Sequence, residues 1–93
     1  MRTMPQVGVV CGVDTHADVH VAAARDHLGQ LLGSRSFPAT AAGYGQLLGW
    51  MNDQGRLVRV GIEGTGAYGA GLCRHLVASG VEVVEVDRPD RQR

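Results

Sequence analysis

An α/β fold built on one mixed sheet is predicted by three observations on this 93-residue sequence. Three short β-prone runs crowd into its first part, too close together for anything but tight antiparallel connections. The apolar period then changes from that of a strand to that of a helix in two separate stretches, each followed by another apolar run. No linker, internal repeat or low-complexity segment interrupts the alternation, so the order β-β-β-α-β-α-β reads as a single unit.

The first strand is Val7 to Val13, a nearly unbroken apolar run of the kind buried on both faces, closed by Asp14. Val19 to Ala24 is the second, and Arg25 to Gly29 the turn that follows it. Gln30 to Phe37 makes the third, ended by Pro38. Tyr44, Leu47, Leu48 and Met51 then fall on one face of a helix, with Thr40 as its N-cap and Gly55 as its stop. Gly43, Gly45 and Gly49 each weaken that helix by roughly 1 kcal/mol relative to Ala, so it must lean on tertiary packing. Leu57 to Ile62 is the fourth strand, ended by Glu63. Gly64-Thr65-Gly66 leads into a second helix with Tyr68, Leu72 and Leu76 in one row and Cys73 and Val77 beside it. Gly80 ends it, and Val81 to Val86 is a fifth strand with Val81, Val83 and Val84 inside.

Composition narrows the function. Apolar residues at 44% and charged residues at 19% describe a globular chain, not a disordered one. All nine basic residues are Arg, and nine Asp plus Glu cancel them, which argues against holding nucleic acid by bulk charge alone. The charge is uneven, however. Residues 1–87 carry six Arg and eight acids, whereas 88–93 carry three Arg and Asp90, the start of a basic segment. Cys11 and Cys73 are too few for a disulfide framework and read as small hydrophobes. Met1 to Gln6 lacks a secretory apolar stretch, and no run approaches membrane-spanning length, so a cytoplasmic location without a membrane partner is expected.

Asp14 and Glu63 form the first candidate site, since each directly follows an apolar strand. If those strands are parallel neighbours, about 4.8 Å apart, the two carboxylates face one small volume. There they could share a proton or hold Mg²⁺ or Mn²⁺, which favour hard oxygen ligands; alternatively, Asp14 caps a turn and Glu63 is a solvated strand end. Gly64 to Gly69 is a literal G-x-G-x-x-G between strand and helix, with Glu85 and Asp87 near the distance a dinucleotide site requires. Against it, Glu63 stands where pyrophosphate would approach, and three strands precede a fingerprint that normally opens its domain. Asp14, His16, Asp18 and His20 recur at every second position, but a turn over 15–18 would break the face, leaving solvated turn and strand-face residues. His27 and His75 read as surface positions. Phe37, Tyr44, Trp50 and Tyr68 are too scattered for a base-stacking platform and read as core or helix-face residues.

Three blocks in order and spacing give a sharper resemblance: Gly12-Val13-Asp14-Thr15-His16-Ala17-Asp18-Val19-His20, Gly61-Ile62-Glu63-Gly64-Thr65-Gly66, and Glu85-Val86-Asp87-Arg88-Pro89. Together they resemble the DEDD transposases of bacterial insertion sequences, the insertion sequence 110 group, from about Val7 to the last residue. The resemblance implies a ribonuclease H-like (RuvC-like) mixed sheet, here truncated after its fifth strand, as one partial amino-terminal domain over 1–93. It implies that Asp14 and Glu63 are catalytic metal ligands for Mg²⁺ or Mn²⁺ in cutting and joining DNA at the element's ends. Arg88, Arg91 and Arg93 would begin a nucleic-acid-contacting segment. The family's last two aspartates lie in a later segment that Asp87 and Asp90 do not match, and its nucleophilic serine belongs to a further domain. This chain alone is therefore expected to be inactive and to bind metal weakly or not at all, the cation being held in the complete domain. Partners implied are element and target DNA, an element-encoded RNA and, in the full-length protein, further copies of itself, at the nucleoid. The phosphate-binding hairpin of the actin and sugar-kinase fold is similar in its opening Gly-x-Asp, but His16 occupies the place of its Gly.

Overall fold

The computed structural model describes residues 8–86. Its elements are β1 (Gly8–Thr15), β2 (Val19–Arg25), β3 (Leu31–Pro38), α1 (Ala41–Asp53), β4 (Arg56–Glu63), α2 (Ala70–Ala78) and β5 (Val83–Val86), in the order anticipated above. They form one five-stranded sheet, β3-β2-β1-β4-β5. The first three strands are an antiparallel meander, and β4 and β5 join β1 in parallel.

Local chemistry sets the boundaries. Asp26 Oδ1 accepts from the Leu28 and Gln30 amides and closes the β2–β3 turn, with Gly29 at φ 83°. The Thr40 hydroxyl accepts from the Gly43 amide at 3.0 Å and starts α1. Gly80, at φ 83°, ends α2: its amide reaches the Val77 carbonyl and the Val81 amide reaches that of Leu76.

Both helices pack on the same face of the sheet. Leu47 and Met51 of α1 and Leu72 and Leu76 of α2 join Cys11, Val13, Ala22, Ala24, Phe37, Val60 and Ile62 in one core. That corrects the expectation that β1 is buried on both faces. Val9, Cys11, Val13 and Thr15 are buried, but the alternate positions Val10 and Gly12 are exposed. A strand pattern cannot show that both crossovers run in one direction and so leave their helices on one side.

Three further expectations change. Tyr68 is not in α2 but in the turn before it, and is exposed, because the chain needs Ala67 and Gly69 to fold back on Gly64. The fifth strand begins at Val83, and Val84 is exposed while Val81 and Val83 pack on the core. His20 is fully buried: its β2 parity puts it among the core positions Ala22 and Ala24. Its ring stacks on Tyr44, centroids 5.9 Å apart, and Tyr44 in turn meets a half-buried His75. Cys11 and Cys73 are free thiols, and burial pushes that of Cys11 up to about 11, which leaves it neutral and unreactive.

Candidate functional site

Strands β1 and β4 are parallel neighbours, and in their register Asp14 pairs with Glu63 as the last rung of the ladder. Both belong to the strand parity opposite the core, so the carboxylates rise from the sheet face that no described helix covers. Gly12 pairs with Gly61 one step back on the same face. Together with Val21, Ala23 and Val86, these residues line an open hollow of about 290 Å³. Small residues make the hollow; the two acids stand at one end of it.

Two neighbours hold the site's geometry. The His16 ring Nε2 lies 3.1 Å from Asp14 Oδ2, with both side chains about half exposed. The Thr15 hydroxyl donates to the Glu63 backbone carbonyl at 2.6 Å. Thr15 points into the core and is almost fully buried, on the far side of the sheet from the acids it lies between. Neither role was read from the sequence. Thr15 could have been found from its parity, which it shares with Val9, Cys11 and Val13 at the end of an apolar run.

As donors for a divalent cation, the two carboxylates suit Mg²⁺ or Mn²⁺ in kind, since both ions prefer hard oxygen. They are short in number: among the described residues no three His, Cys, Asp or Glu gather as a metal cluster. The alternating Asp14, His16, Asp18 and His20 do not make one. The chain turns over 16–18, and His20 enters the core. Arg88, Arg91, Arg93, Asp87 and Asp90 lie outside the described residues.

The glycine-rich loop has its own explanation. Gly64 takes φ 79°, a conformation side chains resist, to turn the chain out of β4. At Gly69 a Cβ would come within 3.1 Å of the Gly64 carbonyl oxygen and Ile62. Gly66 stands in open space, so its substitution has no steric cost in the fold. Thr65, Gly66, Arg74 and Glu85 line a second open hollow of about 330 Å³.

A meander of three antiparallel strands, extended in parallel on the β1 side by two crossovers, is a ribonuclease H-like sheet. Within that class, the model of the DEDD transposase family of the insertion sequence 110 group, described as transposase, matches residues 11–93. The chain belongs to this family. A comparison with curated proteins finds no match. Among solved structures, the chain is similar to the ethanolamine utilization protein EutJ from Carboxydothermus hydrogenoformans, at 19% identity and a TM-score of 0.49 over 92% of this chain. It is also similar to the Ppx/GppA family member of Aquifex aeolicus, at 9% identity and a TM-score of 0.48 over 87% of this chain. It spans only 38% and 35% of those two chains. No described helix is long and apolar enough to cross a membrane.

Proposed function

We propose that this chain is the amino-terminal part of the catalytic domain of a DNA transposase, with Asp14 and Glu63 as two of its metal-holding carboxylates. The observation that supports this reading most is their shared rung, at matching ends of two parallel strands and on an open face. Divalent cations bound at such a site would supply activation of the attacking oxygen and stabilisation of the leaving oxygen in phosphodiester displacement. Asp14 and Glu63 would hold them, and His16 orients the Asp14 carboxylate through its ring nitrogen. The substrate is DNA at the ends of an insertion sequence and at its target. Arg88, Arg91 and Arg93 supply charge for its phosphates, an element-encoded RNA and further copies of the longer protein are its other partners, and the nucleoid is its place of work.

Two carboxylates do not complete a four-residue metal site, so the 93-residue chain by itself cuts no DNA. Incubated with supercoiled plasmid and Mg²⁺ or Mn²⁺, it is expected to leave the plasmid intact. Nicking by the purified chain that disappears in Asp14→Ala would overturn the inactivity and retain the site. The site is tested in a protein extended in frame through a downstream Asp-x-x-Asp segment. There Asp14→Ala and Glu63→Gln should each abolish strand cleavage, and cleavage that survives both would sink the assignment.

A second reading, nucleotide binding at Gly64 to Gly69, is favoured by the hollow that brings Gly66, Arg74 and Glu85 together. Titration with NAD or ATP separates the two readings. No affinity is expected; measurable affinity lost in Gly66→Val, a substitution the fold accommodates, would put this reading first.

A further inference from the structure

We infer that Thr15 is a positioning residue for the carboxylate pair, acting from the buried side of the sheet to hold Glu63 in register with Asp14. This rests on the site proposed above and adds to it a residue that touches neither cation nor DNA.

The β1–β4 ladder ends at the Asp14–Glu63 rung. Directly beyond it Gly64 swings the chain out of the sheet at φ 79°, so on the β1 side the backbone ladder stops at Glu63, which pairs on its other edge with Val86 of β5. Opening of the β1–β4 seam at this end would carry the Glu63 carboxylate away from Asp14. The Thr15 hydroxyl extends the β1–β4 seam by one side-chain bond past its last backbone rung. It donates to the Glu63 carbonyl at 2.6 Å, a short bond in an almost fully buried setting. The rest of Thr15 is fixed as well. It pairs with the buried His20 across the β1–β2 ladder, and a Cβ placed on Gly69 would meet its methyl group at 3.2 Å. The hydroxyl is therefore held by β2 on one side and by the approach to α2 on the other. Asp14 precedes Thr15 directly, so one dipeptide carries a ligand on the open face and its brace on the closed one.

The test compares Thr15→Val, which keeps the shape and loses the hydroxyl, with Thr15→Ser, which keeps the hydroxyl. The probe is Mn²⁺ alone, read by paramagnetic broadening of backbone amide signals in the 93-residue chain. Broadening registers a site occupied only a small part of the time, so two carboxylates suffice for it. In the wild type, Mn²⁺ should broaden residues around Asp14 and Glu63 together, and Asp14→Asn should remove the effect. In Thr15→Val the Mn²⁺ concentration for half-broadening should rise about tenfold, the usual effect of losing an outer-shell support. Thr15→Ser should stay close to wild type. Hydrogen exchange in the middle of the ladder, at Cys11 and Val60, reports whether each variant is folded. A Thr15→Val variant that is folded and responds to Mn²⁺ as the wild type does would overturn the role of Thr15 while leaving the site standing. A Thr15→Ser variant as impaired as Thr15→Val would overturn it too, because packing and not the hydroxyl would then be at work. Absence of broadening around both acids in the wild type would overturn this inference, while the site reading stands or falls by cleavage in the extended protein.

Discussion

Gly43→Ala is expected to destabilise the fold by about 3 kcal/mol or more, a fall in melting temperature on the order of 10–20 °C. Gly43 sits in the first turn of α1, its amide held by the Thr40 hydroxyl. A Cβ built there falls inside contact distance of the Pro38 carbonyl oxygen, and within 2.8 Å of its carbonyl carbon and 3.0 Å of its ring. The obstacle is backbone at the end of β3, not the tip of a flexible side chain, so the helix must tilt away or lose its cap. Overpacking a core typically costs about 1–3 kcal/mol, and an immovable backbone clash belongs at or above the upper end. With stability on the order of 0.1 kcal/mol per residue, such a loss is a large share of what holds a domain of this size. Gly45 and Gly49 lie in the same helix with nothing within 4 Å of an added Cβ. Alanine at either should instead stabilise by about 0.5–1 kcal/mol. Thermal melts of the three variants check this, and a Gly43→Ala protein melting within a few degrees of wild type would refute the packing.

The second large effect is acid sensitivity seated at His20. Its ring is fully buried, and neither nitrogen has a hydrogen-bond partner among the described residues. Burial holds its imidazole below the ordinary value of 6.5, the Val19 backbone partly opposing and His16 adding to the shift. The native state therefore keeps His20 neutral where the unfolded chain already takes up a proton. Its contribution is fully present above pH 6.5 and is lost as pH falls from there through the lowered native value. The slope approaches about 1.4 kcal/mol per pH unit for one proton. Urea unfolding between pH 8 and 5 should show the wild type weakening below about 6.5, with His20→Leu flatter by that amount. Parallel curves for the two proteins would exclude His20 as the source.

The order of elements was legible in the sequence because it rests on local pattern, whereas the facing of Asp14 and Glu63 was legible only on the condition that their strands are parallel neighbours. Apolar runs, the Thr40 cap and the Gly80 stop each mark a boundary within a few residues of themselves. What was not legible depends on which side of the sheet the helices occupy. The buried parity of β1 and the open one beside it look alike when Val10 and Val9 are equally apolar. His20 was misplaced for the same reason: a polar residue at an inward position is assigned outward by composition. Tyr68 looked like part of the α2 row because its spacing to Leu72 is helical. The turn that excludes it is set by Gly64 and Gly69 closing on each other.

The Gly12–Gly61 rung gives the carboxylates an approach lane. On most strand pairs the residues two positions back would wall in the groups at the end. Here neither strand supplies that wall, although a Val86 methyl leans to within 3.2 Å of where a Cβ on Gly61 would stand. On the function proposed above, a phosphodiester would have an approach to Asp14 and Glu63 over Gly12, along the strands as well as from above. At Gly12 nothing in the fold itself requires a glycine, since an added Cβ meets no atom within 4 Å. A side chain at that position would take up clearance in front of the acids without disturbing the packing of the chain.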